Sequence, residues 1–280
     1  MPRVAVRTAV IAAAGSASRM WPASKVVPKE MFPIGRLPVI AHLVWEMVEA
    51  GIAHIVIVIR KDSVRALEAV FDAAIAPPAN VAADPLVRRF ERIIRKPRLT
   101  FVEQSGPYGN GTPLLNGFDA SEGGPCIYAF ADDVVLGENV TAGLLRTHEK
   151  TDNVVLAAQR VPKKERGRFG ILETRSRGGE RLVTRFVEKP RPGETTSALA
   201  SLGRYLVTQD VVEVLRSTPV GRDRELWLAD AFCALLERRT PLSVFTLGKG
   251  RWYTVGTPDG YRNAVLAGMR MELRDDLYSS

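Results

Sequence analysis

Thr8-Ala9-Val10-Ile11-Ala12-Ala13-Ala14-Gly15-Ser16-Ala17-Ser18-Arg19-Met20-Trp21-Pro22-Ala23-Ser24-Lys25-Val26-Val27-Pro28-Lys29-Glu30-Met31-Phe32-Pro33 is the stretch that decides the fold. Thr8 to Ala14 is an apolar run, the pattern of a strand buried on both faces. It empties into the small residues Gly15, Ser16, Ala17 and Ser18, and two cations, Arg19 and Lys29, follow within one loop. Small residues let backbone amides approach an anion, and Arg and Lys neutralise charge that amides can only orient. The stretch reads as a phosphate cradle in which Ala14, Gly15 and Ser16 supply the backbone.

Moving outward, Pro38 opens a helix with Ile40, Leu43, Val44, Met47 and Val48 on one face, closed by Gly51. His54 to Val58 then reads as a buried parallel strand. Strand, helix and strand at this spacing form a βαβ unit, so the expected class is α/β: a Rossmann-like, mixed but mostly parallel central sheet with helices on both faces. Ser63 to Phe71 reads as a second helix, and the Ala/Pro-rich then basic stretch from Ala74 to Pro97 as loop and helix. Leu99 to Glu103 is a strand leading into Gln104-Ser105-Gly106-Pro107-Tyr108-Gly109-Asn110-Gly111-Thr112. Glycine-rich turns at the carboxyl ends of such strands are where open sheets bind ligands. Pro113 to Ala120 reads as a helix and Pro125 to Ala131 as a central strand ending in Asp132-Asp133. A carboxylate at a strand tip suits Mg²⁺, which takes one or two carboxylates plus substrate phosphates. With a regular strand, Asp133 points away from Asp132 and serves structure.

These motifs resemble those of the nucleoside-triphosphate:sugar-1-phosphate nucleotidyltransferases, and most closely the bacterial UTP:glucose-1-phosphate uridylyltransferases. Their pattern GxGTRxxPxTKxxPKE is met by Gly15, Arg19, Pro22, Lys25, Pro28, Lys29 and Glu30, with Ala17 in place of the second glycine and Ser18 and Ser24 in place of threonines. The resemblance implies that Arg19 and Lys29 are the catalytic cations, that Gln104 and Gly109 read the uracil, and that Asp132 holds Mg²⁺. Downstream, Phe169-Gly170-Ile171 resembles the family's Tyr-Gly-Val, where the glycine admits the sugar ring, and Phe186-Val187-Glu188-Lys189-Pro190 its Val-Glu-Lys-Pro. By that match Glu188 takes sugar hydroxyls and Lys189 the sugar phosphate. Gly203-Arg204-Tyr205 and Glu225 to Phe232 also match, with Trp227 and Ala229 as departures; Trp227, a large ring at a polar position, is read either as core or as reshaping the sugar pocket. In Trp252-Tyr253-Thr254-Val255-Gly256-Thr257-Pro258 the chain has Thr254 where the family places a second metal-binding aspartate. A terminal helix, Pro258 to Arg274, would pack Ala264, Val265, Gly268, Met269 and Leu273 onto the sheet.

The implied partners are UTP, or a related triphosphate, and a sugar 1-phosphate, on a homo-oligomer, dimer or tetramer. Two other readings fit the same residues: a homologue that binds nucleotide or sugar without turnover, suggested by Ala17 and Thr254, and an enzyme using another triphosphate or sugar phosphate. No Ser, Cys or His nucleophile is needed, and His42, His54 and His148 read as structural.

The 280 residues read as one domain, with a nucleotide-binding half over roughly 1–150 and a sugar-binding half over 151–280. At 46% hydrophobic and 25% charged, the composition is that of a folded globular chain and excludes disordered and fibrous classes. The net charge of +8 suits anionic ligands. The basic runs at Arg88 to Arg98 and Lys163 to Arg168 read as a solvated helix face and a loop or, on charge alone, as a nucleic-acid patch, and no nucleic-acid motif accompanies them. Cys126 and Cys233 lie far apart, as expected of buried thiols in the reducing cytoplasm. No apolar run reaches membrane-spanning length. Arg3 and Arg7 before Ala9–Gly15 imitate a leader peptide, but cleavage there would remove the strand that feeds the cradle.

Overall fold

The structure is a computed structural model and describes residues 5–221 and 224–272. In chain order the first half carries β1 (Thr8–Ala13), the short hairpin β2 (Pro33–Ile34) and β3 (Leu37–Pro38), α1 (Val39–Glu49), β4 (His54–Ile59), α2 (Val64–Phe71), α3 (Pro85–Ile94) and β5 (Arg98–Glu103). It continues through α4 (Thr112–Asp119), β6 (Cys126–Phe130), β7 (Asp133–Leu136) and α5 (Val140–Thr151). The second half runs β8 (Val154–Arg160), β9 (Gly170–Arg177), β10 (Glu180–Glu188), β11 (Leu199–Val207), α6 (Gln209–Ser217), α7 (Leu228–Glu237), β12 (Leu242–Thr246), β13 (Arg251–Thr254) and α8 (Pro258–Glu272). Residues 273 and 274 of the expected terminal helix, Leu273 among them, lie outside the described residues.

Nine strands make one sheet in the order β5-β4-β1-β6-β11-β8-β12-β10-β9. β1 is third in that order and pairs in parallel with β4 on one side and β6 on the other. Chain order reverses between β1 and β6, and the crevice at such a switch point is where open α/β sheets bind ligands. Parallel pairing is confined to β5-β4-β1-β6 and to β8–β12; β11 runs antiparallel to both β6 and β8, and β10 to β9 and β12, so the parallel share is smaller than expected. The β9–β10 hairpin turns on Gly178 and Gly179, both at positive φ, the geometry whose twist matches that of paired strands.

Side chains alternate between two cores, as a central sheet requires. Ile11, Ile57 and Ile127 meet Ile40, Leu43 and Met47 of α1 together with residues of α3 and α5. Val10, Val58 and Tyr128 meet Leu114 and Phe118 of α4, Val211 and Leu215 of α6, and Phe232 of α7. α3 falls within the stretch read only as loop and helix. Its start has a local cause: Asp84 accepts hydrogen bonds from the Leu86 and Val87 amides at 2.9 and 3.2 Å, with Pro85 at the first helical position. Arg89 of this helix pairs with Glu49 at 2.5 Å and lies over the Trp45 ring, so part of the basic run is held by the fold. On α8, Ala264 and Gly268 are buried as expected, whereas Met269 is exposed and Met271 packs inward instead. No helix among the described residues is long and apolar enough to cross a membrane.

Candidate active site

The loop after β1 is set by its small residues. Ala17 sits at φ 50°, ψ 32°, in the left-handed region, and Ser24 Oγ donates to its carbonyl at 2.9 Å. A side chain there costs about 1–2 kcal/mol relative to glycine, and the Ser24 bond helps to hold the turn despite it. Gly15 is where the loop meets its cation: a Cβ at this position would lie 3.1 Å from Lys29 Nζ.

Lys29 Nζ donates to Asp132 Oδ2 at 2.7 Å across the gap between β1 and β6. Burial by itself would lower the Lys29 pKa, but Asp132, Glu30 and Asp133 outweigh it and the net shift is upward, so the ammonium stays charged. Glu30 stands 4.0 Å from the same nitrogen, too far to offset its own burial, which pushes its carboxyl up to about 7. The expected continuation of β6 through Asp132-Asp133 is broken: β6 stops at Phe130, and Asp133 starts β7, which pairs with β13 in a separate two-stranded sheet. That register sets Thr254 opposite Asp133, while the Val255 amide donates to the Asp132 carbonyl at 2.7 Å. Asp133 is buried and accepts from the Gly203 amide at 2.8 Å. Burial, then the neighbouring Asp132 charge, pushes its carboxyl up to about 6. Behind it the fully buried Arg204 donates to the Asp133 carbonyl at 3.2 Å and to Glu46 at 3.4 Å. Asp133 is thus tied down from behind, while Asp132 is left at the surface of the cleft.

Two adjoining cavities open here. The smaller, about 220 Å³, is lined by Ala14, Gly15 and Lys29 from the first loop and by Gln104, Gly109 and Trp227. The larger, about 620 Å³, takes Arg19, Gly170, Glu188, Lys189 and Thr254. Asn110, Phe130 and Asp132 line both. Arg19, Lys29, Asp132 and Lys189 therefore border one continuous cleft, but Arg19 lies on the larger side, apart from Lys29. Ser16 is exposed and lines neither cavity. At Gly170 the space a Cβ would fill is held by the Phe186 ring and by Glu188 Oε2, 2.9 Å away, so this glycine makes room for the carboxylate. Burial raises the Glu188 pKa.

Tyr108, Asn110 and Phe130 line the cleft without having been singled out in the sequence, and so do Arg168, read there only as the end of a basic run, and Phe169, read only as the neighbour of Gly170. Asn110 has a visible cause: its Oδ1 accepts from the Leu228 amide at 2.8 Å, at the start of α7. Leu226 N donates to the Tyr108 carbonyl and Gly111 N to the Leu226 carbonyl, each at 2.8 Å. The 108–111 loop and the 225–228 segment are thereby laced together, and Gly109, at φ 127°, is where their backbones touch. Trp227, read as core or as part of the sugar pocket, lines the smaller cavity instead. The three histidines bond to Ile34, Thr100 and Asn153 and line neither cavity. Among the described residues, no cluster of three or more His, Cys, Asp or Glu could hold a metal ion.

The nucleotidyl transferase family profile matches residues 8–269. A UTP–glucose-1-phosphate uridylyltransferase of Bacillus subtilis is 36% identical over 97% of this chain and 94% of its own length. One of Streptococcus pyogenes, numbered 2, is 32% identical over the same shares. A crystal structure of UDP-glucose pyrophosphorylase complexed with UDP-glucose superposes with a TM-score of 0.85 at 28% identity, covering 95% of this chain and 99% of that one. An apo UDP-glucose pyrophosphorylase superposes at 0.86 with 27% identity. With the family profile matching residues 8–269 and a relative 36% identical over 97% of the chain, the chain belongs to the nucleotidyl transferase family.

Proposed function

We propose that the protein transfers the uridylyl group of UTP to glucose 1-phosphate, giving UDP-glucose and pyrophosphate. The observation that carries this reading is the pair of cavities meeting at Asp132, one with Lys29 and the Gln104 loop, the other with Glu188 and Lys189. In the reaction a phosphate oxygen of glucose 1-phosphate attacks the α-phosphorus, forming one P–O bond as the bond to the β-phosphate breaks. That oxygen is already anionic, so no protein nucleophile or base is required, and catalysis reduces to positioning two polyanions and offsetting their repulsion. Lys29 supplies charge on the triphosphate side, Lys189 and Arg19 on the sugar-phosphate side, Glu188 accepts from sugar hydroxyls, and the Gln104 amide offers a donor and an acceptor to the base.

A divalent ion fits this donor set as one that arrives with the triphosphate, because a single carboxylate, Asp132, with the Thr254 hydroxyl beside it leaves most oxygen positions to substrate. When bound, Mg²⁺ would offset charge on the phosphate oxygens. Binding without turnover is the second reading, favoured by the small acidic donor set and by the left-handed Ala17. Pyrophosphate release from a panel of triphosphates and sugar 1-phosphates, with and without excess Mg²⁺, tests both. Mg²⁺-dependent release strongest with UTP and glucose 1-phosphate is expected. Release with a different pair would overturn the substrate assignment, and none with any pair would leave a binding protein.

A further inference from the structure

Lys189 and Trp227 come from opposite sides of the cleft, one at the end of β10 and the other just before α7. They meet: Lys189 Nζ lies 4.8 Å from the centroid of the Trp227 ring. An ammonium over an indole face is drawn to it by the ring quadrupole, and Trp is the strongest of the aromatic partners. The backbone of Lys189 is unusual as well, at φ 47°, a region that non-glycine residues avoid unless the surroundings impose it. Two contacts impose it here: the Lys189 amide donates to the Phe169 carbonyl at 3.1 Å, and the side chain reaches across to Trp227. The carboxylate next to it in sequence, Glu188, is 3.8 Å from Nζ and leaves the ring as a second holder of the same cation. Trp227 is also fixed from behind, since its neighbours Leu226 and Leu228 are the residues hydrogen-bonded to the 108–111 loop.

We propose that Trp227 is a positioning residue for Lys189: its indole face holds the ammonium at the boundary between the two cavities, where the phosphate of the sugar substrate is received. The proposal rests on the uridylyltransferase reading for the identity of that phosphate, while the contact itself stands independently of it. Because Lys189 is half-exposed, the effect is that of a solvent-facing cation–π pair of roughly 0.5–1 kcal/mol. Trp227→Leu should raise KM for glucose 1-phosphate about two- to fivefold, with Trp227→Phe between Leu and wild type. In a double-mutant cycle with Lys189→Met, the two changes should be less than additive on the same KM.

A second readout does not depend on turnover. Lys189→Met should alter the tryptophan emission spectrum of the protein, and the difference should vanish in a Trp227→Phe background. Unaltered emission in Lys189→Met, a difference that persists without Trp227, or a glucose 1-phosphate KM unmoved by Trp227→Leu would each overturn the proposal. Should the wild type turn over no substrate pair, the failure falls on the proposed reaction, and the emission difference decides on Trp227 by itself.

Discussion

Replacing Lys29 with Met removes the ammonium and keeps an unbranched apolar stem. Lys29 is 11% exposed and Asp132 26% exposed, with 2.7 Å between nitrogen and oxygen. At an effective dielectric near 20, two unit charges at that distance attract by about 6 kcal/mol, most of it offset by the desolvation both have undergone. Breaking a fully buried pair costs about 3–5 kcal/mol, and the partial exposure of Asp132 reduces this to about 2 kcal/mol. For a chain of this length that is a fall in Tm of about 5 °C, so the variant remains folded at assay temperature. Its effect on the reaction should be larger. Removing one fixed charge from a transferring phosphoryl group lowers kcat about 10²–10³-fold. Pyrophosphate release at saturating UTP and glucose 1-phosphate, beside a thermal melt, measures both. Turnover within tenfold of wild type would refute the assignment of Lys29 to the reacting phosphates, and an unchanged Tm would refute the energetics given for the pair.

Gly109→Ala should cost about 3 kcal/mol or more, because the added Cβ would lie 2.6 Å from the Leu226 amide nitrogen and nearer still to its carbonyl oxygen, at φ 127°; a urea titration reads the loss. Glu30 gives a pH signature: with its carboxyl near 7 in the native state and an ordinary value of 4.5 unfolded, the native state keeps a proton that the unfolded chain has lost. Stability should therefore fall by about 3 kcal/mol as pH rises from 4.5 to 7, and Glu30→Gln should remove that part of the slope in urea midpoints across the window. Thr254→Asp adds a carboxylate opposite Asp133 and near Asp132, so Tm should drop without metal, and the Mg²⁺ concentration for half-maximal turnover should fall several-fold.

β1, the small-residue loop that follows it and the position of Asp132 at the cleft were legible in the sequence because each is local: an apolar run, small residues before cations, a carboxylate at a strand tip. Gly178-Gly179, the hairpin turn between β9 and β10, is a local signal of the same kind. Asp133 was read on the wrong premise, since only the pairing of β7 with β13, far apart in sequence, shows that the strand breaks before it. The placement of Arg19 beside the larger cavity, and of Trp227 beside the smaller, depends on how three loops converge, and no periodicity encodes that. Asn110 lay between two glycines already singled out; its value is in capping a helix more than a hundred residues away, a contact that spacing does not announce.

β11 is the strand that closes the centre of the sheet, seated between β6 and β8. As the polypeptide leaves the ribosome, β6 therefore waits with one row of amides and carbonyls unsatisfied until Leu199–Val207 has been synthesised, and Asp133 waits for the Gly203 amide. Nascent chains that stop short of β11 carry an adhesive edge beside an unfinished cleft. The join at the middle of the sheet and the hold on Asp133 thus arrive in the same step.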